Sequence, residues 1–305
     1  MTPSGAQYRI ASGGQAATVV EVGAGLRTYT ADGVDVVDGY AEEEMASGGR
    51  GQQLIPWPNR IRDGRYSFAG ADYQLALTEP GKGNASHGLV RWMNWTATAR
   101  EHDRVVLELV LHPQPGYPFL LGLSVEYRVA ATGLSVATTA TNLGDRPCPY
   151  GAGSHPYLTV GTDWVDDAVL QLPASTRLES DDRGIPVGSV AVDGSAYDFR
   201  RPHAIGDLVI DTAYTDLTRS EATVEAPGGR RRVTLWWDES YRWVMVFTGD
   251  TLAPGRRRRS LAVEPMTCPP NAFVSGDGLR VLEPEEAWTT TWGIAPGQRG
   301  TAVSR

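Results

Sequence analysis

The feature that most constrains the fold of this chain is a hydrophobic period of two. In residues 123–129, Leu-Ser-Val-Glu-Tyr-Arg-Val, apolar and polar residues alternate strictly. A Thr-Gly turn at 132–133 leads into residues 134–141, which are rich in β-branched side chains. Because successive side chains of a strand point to opposite faces, this pattern predicts a β-hairpin with one buried face.

Similar segments recur along the whole chain, and helical spacing of apolar residues is rare. Single turns are expected at 42–45 and 195–199. The 35 glycines and 20 prolines are dispersed without a repeat, and no change of composition divides the 305 residues. We therefore predict an all-β fold, a large antiparallel β-sandwich that forms a single domain over residues 1–305. The other predicted strand segments are 65–68, 73–75, 104–111, 232–237, 243–248 and 288–294.

Charge and composition argue against nucleic acid and membranes as partners and favour a reducing compartment. The net charge of −8 argues against nucleic acid, because phosphate binding requires a basic face, and the basic run 256–259 is predicted to be a solvated loop. Residues 1–15 lack the basic and apolar parts of a secretion signal, and no apolar stretch is long enough to span a bilayer. With only two cysteines, Cys148 and Cys268, a reducing cytoplasm is expected.

An acidic residue lies between an apolar segment and a proline-rich loop in LAVEPMTCPPNAF, residues 261–273. Glu264 follows three apolar residues and directly precedes Pro265, and two more prolines follow at 269–270. Prolines restrict the backbone, so the carboxylate is expected to have a rigid seat at the end of a strand. A surface glutamate seldom needs such a seat, whereas a carboxylate that meets a bound molecule does.

Two of the five histidines lie in loops of small residues. His87 ends the run Asn-Ala-Ser-His, and His155 lies in Gly-Ala-Gly-Ser-His-Pro-Tyr, where Pro156 favours an extended backbone. A single loop histidine is usually a surface residue. Two such loops together with the Glu264 loop indicate a binding site, because sites are commonly built on loops at the end of a rigid sheet. The other three, His102, His112 and His203, are expected in solvated turns.

Arg60 and Asp211 are two further candidates. Arg60 follows Pro-Asn in a loop, and its planar fork of donors suits vicinal hydroxyls or a carboxylate, although it could equally tie loop carbonyls together. Asp211 ends an apolar run, but an Asp before Thr also starts turns. Three other acidic residues could compete for its role: Asp198, Asp207 and Asp216.

Neither metal nor cofactor chemistry is indicated. His87, His155 and Glu264 could hold zinc, but none of them has the local His-x-His type of spacing that is common in β-proteins. Neither cysteine has a Cys-x-x-Cys partner. The sequence also lacks a Gly-x-Ser-x-Gly elbow, a phosphate-binding loop and a dinucleotide fingerprint.

With these residues in hand, the chain resembles the aldose 1-epimerase, or galactose mutarotase, family. The resemblance covers nearly the whole chain in order, and its Asn-Arg, His-Gly, His-Pro-Tyr and Pro-Asn-Ala-Phe elements are specific in combination. It implies a galactose mutarotase-like supersandwich with a sugar bound in an open cleft on one sheet, and no cofactor. The segments that carry it are 51–75, 85–92, 151–158, 210–214 and 263–273, with 19–37 and 281–294 as the first and last strands.

The resemblance also implies a role for each candidate residue. Glu264 would be the general base that takes a proton from the anomeric hydroxyl, and His155 the general acid that protonates the ring oxygen. Arg60, His87 and Asp211 would hold the sugar hydroxyls. The expected protein is a monomer or homodimer that acts on a small-molecule aldohexose, with His155 and Glu264 facing each other across a pocket about as wide as one pyranose ring.

Three alternatives stay open from the sequence. The loop after His87, Leu-Val-Arg-Trp-Met-Asn-Trp, departs from the usual galactose-type loop, so galactose, glucose or a modified hexose could be the substrate. A phosphorylated or sulfonated hexose could be favoured by Arg62, Arg65 or Arg91. A non-catalytic carbohydrate-binding protein needs no acid–base pair, and a glycoside hydrolase that pairs Glu264 with Asp211 leaves His155 without a role.

Overall fold

Regular structure in this chain consists almost entirely of β-strands, as predicted. The structure, a computed structural model, describes residues 2–297. The first thirteen strands are β1 (Gln7–Ser12), β2 (Gln15–Val20), β3 (Leu26–Ala31), β4 (Val34–Asp35), β5 (Gln53–Leu54), β6 (Arg60–Arg62), β7 (Arg65–Phe68), β8 (Ala71–Gln74), β9 (Asn84–Ser86), β10 (Thr96–Arg100), β11 (Arg104–Leu111), β12 (Leu121–Ala130) and β13 (Gly133–Asn142).

The second half of the chain continues in the same way and includes one short α-helix, α1 (Ala272–Ser275). Single 3₁₀ turns occur at Pro80–Lys82, Val165–Asp167 and Pro227–Gly229. The remaining strands are β14 (Cys148–Tyr150), β15 (Gly153–Ser154), β16 (Tyr157–Leu158), β17 (Val169–Gln171), β18 (Ala174–Ser180), β19 (Pro186–Ala191), β20 (His203–Ala204), β21 (Asp211–Leu217), β22 (Glu221–Glu225), β23 (Arg232–Trp237), β24 (Trp243–Phe247), β25 (Leu261–Met266), β26 (Arg280–Leu282) and β27 (Ala287–Pro296).

Two large antiparallel sheets dominate the architecture. One has nine strands in the order β10-β11-β12-β13-β27-β23-β22-β17-β20. The other has the order β19-β18-β21-β24-β25-β15-β5, with β16 also paired to β25. Smaller sheets join β1 to β4 in sequence order, β6 to β9, β7 to β8 and β14 to β26.

The two large sheets bury a common apolar core, as a β-sandwich requires. On β12 every second side chain is buried, from Leu121 to Val129. These side chains belong to the same core cluster as Val246 of β24 and Val263 of β25, in the other sheet. The assignment of residues 1–305 to a single domain stays a prediction, and a core that includes both Tyr8 and Ile294 supports it.

The chain makes turns within 42–45 and 195–199, and the structure differs from the sequence prediction in two places. The short helix α1 went unpredicted because four residues are too few to show a helical period. His203 is not in a solvated turn: it lies in β20, and its ring stacks on Phe199 with 4.3 Å between centroids.

Among residues 2–297, no helix is long and apolar enough to cross a membrane.

Candidate active site

Glu264 lies inside β25, a central strand of the eight-stranded sheet. The sequence prediction placed it at a strand end, which is wrong, because β25 continues through Pro265 to Met266. Leu261 and Val263 point into the main core. Since side chains alternate along a strand, Glu264 points to the opposite face, where Met266 packs in a separate apolar cluster with side chains of β21 and β24.

The pairing register brings His155 opposite Glu264. On one side of His155, Gly153 pairs with Met266; on the other, Tyr157 pairs with Ala262. His155 is midway between Gly153 and Tyr157, as Glu264 is midway between Met266 and Ala262, so the same register aligns His155 with Glu264. The backbone of His155 bonds elsewhere, because its N–H donates to Gln52 and its carbonyl accepts from Gly51.

The two side chains touch. His155 Nε2 lies 3.2 Å from Glu264 Oε1, and the residues are only 4% and 2% exposed. The expected gap of one pyranose ring is therefore wrong: the groups stand side by side instead of facing each other across a ligand. Glu264 Oε2 is buried and makes no hydrogen bond within the described part of the chain, so it is the oxygen left for a ligand.

Arg60 and His87 reach the site from the small β6–β9 sheet. Arg60 pairs with Ser86, so the neighbouring residues Asn59 and His87 also lie opposite each other. The His87 N–H donates to the Asn59 carbonyl at 2.7 Å, and the Asn59 N–H donates to His87 Nδ1 at 3.2 Å. This pair of bonds orients the His87 ring edge-to-face against His155, with centroids 5.6 Å apart.

The proline-rich loop after β25 holds this small sheet in place. The Asn271 N–H donates to the Arg60 carbonyl at 2.6 Å, and Asn271 Oδ1 accepts from the Arg62 N–H at 3.0 Å. Asn271 adopts a left-handed backbone with φ of 66°, which asparagine tolerates better than most residues. The loop thus connects the strand that carries Glu264 to the strand that carries Arg60.

Much of the Arg60 guanidinium is already occupied. Its Nε and Nη2 bind both oxygens of Glu79, at 2.7 and 3.1 Å, so the fork does not point to a ligand as expected. Its Nη1 lies 3.9 Å from Asp211 Oδ2. Asp211 is the first residue of β21, and its side chain is 39% exposed, which makes it the most open of the five predicted residues.

Three residues of the site were missed by sequence analysis. Glu79 fixes Arg60, Tyr157 stacks parallel to His155 with 4.8 Å between centroids, and Gly49 lies against the edge of the same imidazole. A signal for Gly49 existed in the segment Gly-Gly-Arg-Gly, residues 48–51, because clustered glycines allow close approach of the backbone. Glu79 has no comparable signal.

Burial shifts the pKa values of three side chains in the site. It lowers the pKa of His155 to about 3, with further lowering by Arg50 and Arg91. It raises the pKa of Glu264 well above 4.5; Asp211 adds to this effect and Arg60 opposes it. Burial, with help from Arg91, also lowers the pKa of His87 well below 6.5. All three shifts favour the neutral form of the group.

Proton transfer between adjacent groups is what this arrangement suits. A carboxyl and an imidazole whose Oε1 and Nε2 lie 3.2 Å apart can pass a proton directly from one group to the other. Within residues 2–297, no cluster of three or more His, Cys, Asp or Glu side chains has a geometry that fits a metal ion.

Replacing Gly49 with Ala is expected to lower the activity of the site by roughly 10²-fold, because a misplacement of about 1 Å is enough for such a loss. A Cβ at Gly49 would lie 2.4 Å from His155 Cδ2 and 3.0 Å from Nε2, so the ring would have to move. Gly33→Ala is the matched control. Gly33 has φ of 74°, close to the 77° of Gly49, but nothing lies within 4 Å of the position that an added methyl group would take. Equal activity of the two variants in a steady-state assay would contradict the prediction.

Sequence comparison identifies relatives over almost the full length. The family profile described as Aldose 1-epimerase matches residues 6–295. The uncharacterized protein YihR of Escherichia coli strain K12 is 40% identical over 282 residues, which cover 92% of this chain and 90% of that protein.

Solved structures share the fold at low sequence identity. A GalM/aldose epimerase homologue from C. elegans superposes with a TM-score of 0.87 at 20% identity, covering 97% of this chain and 99% of the other. A galactose 1-epimerase from Lactobacillus acidophilus gives a TM-score of 0.78 at 20% identity, with 94% and 92% covered. The predicted galactose mutarotase-like β-sandwich is therefore confirmed.

Proposed function

Because the chain belongs to the aldose 1-epimerase family, we propose that it interconverts the α and β anomers of an aldohexose by opening and closing the sugar ring. The observation that carries the proposal is the contact between His155 and Glu264, an imidazole and a carboxyl in hydrogen-bond distance on the face of the sheet opposite the main core. Opening a hemiacetal requires one proton to be removed and one to be delivered, and no nucleophile, hydride or metal.

Contact between the two groups suits this reaction better than a wide gap does. The anomeric hydroxyl oxygen and the ring oxygen are bonded to the same carbon. An acid and a base that serve these two oxygens must therefore also be neighbours. Glu264 would take the proton of the anomeric hydroxyl through its unpartnered Oε2, while His155 would protonate the ring oxygen through Nε2.

In the resting protein the shared proton is on Glu264, and it must move to His155 before the two groups can act as base and acid. Burial favours the neutral form, with the proton on Glu264 and none added to His155. The active form has the proton on His155 and a charged carboxylate. The two forms carry the same number of protons and differ by one transfer across the 3.2 Å contact. When the ring closes, the roles of acid and base are exchanged, which regenerates the starting form.

The remaining candidates would hold the sugar. Asp211 is exposed enough to accept hydrogen bonds from hydroxyls, and Arg60 Nη1 is directed towards the same region, 3.9 Å from Asp211 Oδ2. His87 lies beside His155, and burial keeps its ring neutral. Holding the sugar in one orientation against a fixed acid and base adds an entropic contribution to the rate.

The proposal is tested by following anomer interconversion directly. Freshly dissolved α-anomers of several neutral hexoses are mixed with the protein, and equilibration is recorded by polarimetry or NMR. Faster equilibration than in buffer supports the proposal. An unchanged rate together with saturable sugar binding would favour the non-catalytic carbohydrate-binding alternative, and release of reducing sugar from a glycoside would favour a hydrolase.

One observation favours a second candidate, a mutarotase for an anionic hexose. Of the three arginines considered for this role, Arg62 is paired with Asp181 and Arg65 is bound to Gln74. Arg91 makes no ion pair within the described residues; its Nη2 donates to the Ser86 carbonyl, and its buried Nε has no partner there.

The position of Arg91 gives the test for this candidate. Arg91 lies close to the site, because its Nη2 donates to the carbonyl of Ser86, the residue before His87, and its charge helps to lower the pKa of both His87 and His155. The panel of sugars therefore includes a 6-phosphorylated and a 6-sulfonated hexose. A higher kcat/KM for these sugars than for neutral hexoses, reduced by added salt, would select the anionic substrate class.

The activity is expected to persist into acid conditions. The one-proton form of the pair gains a second proton only as the pH falls through the lowered pKa of His155, about 3. It loses its proton only as the pH rises through the pKa of Glu264, which is raised well above 4.5. The acid limb of kcat/KM should therefore lie well below 6.5, the ordinary pKa of histidine.

Polarimetry between about pH 4 and about pH 9, with the uncatalysed rate subtracted at each pH, measures this profile. An acid limb centred near about 6.5 would mean that His155 titrates like an exposed imidazole, contrary to the prediction.

Cytoplasmic location, a monomeric or homodimeric state, and a small-molecule sugar as the partner remain parts of the proposal.

A further inference from the structure

A buried cation lies near His155, separated from it by the Tyr157 ring. Arg50 is only 2% exposed. Its Cζ lies 4.0 Å from the centroid of the Tyr157 ring, and the Tyr157 ring stacks on His155 at 4.8 Å with 11° between the planes. Guanidinium, phenol and imidazole thus form a continuous stack that ends at the acid–base pair.

The guanidinium is fixed by Asp38. Arg50 Nη2 binds Asp38 Oδ2 at 3.0 Å, and Arg50 Nε donates to the Asp38 carbonyl at 2.9 Å. The carboxylate also accepts from Ser260 at 2.7 Å and from Arg256 at 3.1 Å. Asp38 is therefore held from three directions, so Arg50 has little freedom to move.

The middle ring of the stack is fixed as well. The Tyr157 hydroxyl donates to the Gly48 carbonyl at 2.8 Å. Gly48 and Arg50 belong to the same short segment, which also supplies Gly49 against the edge of the imidazole. Residues 48–50 therefore contact both the ring of Tyr157 and the ring of His155.

From this geometry we propose that Arg50, acting through the Tyr157 ring, is a positioning residue for His155. The inference rests on the proposed function for its kinetic consequence, but the coupling between Arg50 and His155 can be measured without any sugar. Arg50 contacts no predicted substrate-binding group, so it is not itself a catalytic residue.

The charge of Arg50 has an effect on His155 in addition to the packing. After burial, Arg50 is the largest cause that lowers the pKa of His155, ahead of Arg91. The other groups that face the imidazole are Glu264 from β25, His87 from the end of β9, and the Tyr157 phenol from β16. Removing the charge of Arg50 should therefore make the imidazole easier to protonate.

The test is Arg50→Met, which removes the charge but keeps much of the side-chain length. We expect the acid limb of kcat/KM to move up by about one pH unit, the size expected for a unit charge at roughly 9 Å in a medium of effective dielectric constant about 20. We also expect kcat to fall by about tenfold, because the imidazole loses part of its support.

Two further variants test whether the charge of Arg50 or its stacked position affects His155. Arg50→Lys keeps the charge but loses the planar stacking surface, so its acid limb should stay in place while kcat falls. Arg256→Met is the matched control: Arg256 binds the same Asp38 carboxylate but makes no contact with Tyr157 or His155, so its pH profile should be that of the parent.

NMR titration of the imidazole without sugar provides a readout independent of activity. The signal of His155 is assigned by its loss in His155→Gln, and its pKa should be higher in Arg50→Met than in the parent.

An unchanged pKa and pH profile, with only a lower Tm, would overturn the inference and leave Arg50 a purely structural residue. If Arg50→Met does not fold, Asp38→Asn/Arg50→Met removes the buried pair together; the pKa of His155 should still rise, by less than in the single variant because the Asp38 charge is lost as well. A shifted pKa in a protein that equilibrates no hexose would refute the proposed function alone.

Discussion

Glu264→Gln is expected to lower kcat/KM for anomer interconversion by about 10²- to 10⁴-fold, the range for loss of a positioned general base. The amide has nearly the same shape as the carboxyl, and its N–H can still donate to His155 Nε2, so the contact of 3.2 Å can persist. What is lost is the ability to accept the proton of the anomeric hydroxyl. The measurement is the equilibration of a fresh α-anomer, followed by polarimetry.

Stability provides the control for this variant. The pKa of Glu264 is raised in the folded protein, so its contribution to stability is present below the ordinary value of 4.5 and is lost as the pH rises through the folded pKa. Above that pKa a buried charge destabilises the fold, and the neutral amide of Glu264→Gln would not carry it. The variant should therefore have a Tm at about pH 8 no lower than the parent's, while being inactive. Glu239→Gln, at an exposed position, should change neither quantity. Retention of full activity by Glu264→Gln would rule out the proposed mechanism.

His155→Gln is expected to lower kcat/KM by a similar factor of about 10²–10⁴, because the ring oxygen loses its proton donor. The more informative variant combines both changes. If the two groups act as one unit, the double variant should be scarcely slower than the slower single variant, because the second change removes a group that is already idle. The rates of the two single variants and the double variant, measured on the same sugar, give the coupling between the residues.

If the loss of rate in the double variant equals the product of the losses in the two single variants, the groups act independently, which is incompatible with a shared proton. His102→Gln serves as the control for histidine replacement, because His102 is exposed and lies outside the site. Its activity should equal that of the parent. Circular dichroism of each variant establishes that the sheets are intact.

The strands were predictable because their signal is local. Residues 232–237 and 104–111 are rich in β-branched, aromatic and other apolar residues, and both form strands with those bounds, as β23 and β11. β25 is different, because all six of its side chains are buried. A strand covered on both faces shows no alternation, so its continuation beyond Glu264 through Pro265 was not visible from the sequence.

The members of the candidate site were predictable one by one, but their geometry was not. His155 and Glu264 could be selected from their loops and from a family resemblance. Their contact depends on the register between β25 and the segment from Gly153 to Tyr157, and no local pattern fixes the pairing of such distant segments. The bond between Glu79 and Arg60 likewise depends on how two loops meet in space.

The order of the site residues along the chain has a consequence for biosynthesis. Gly49, Arg60, His87 and His155 are all made before Glu264, yet the central strand β25 must pair with β24, β15 and β16 to complete the eight-stranded sheet. A nascent chain that still lacks β25 has neither the proposed base nor the strand that aligns the proposed acid. Contacts between such distant segments form slowly, and unpaired strand edges stay open until they do. If the proposed activity is present, onset of anomer interconversion during refolding should thus mark one of the last steps of assembly, and the assay would report the completed sheet.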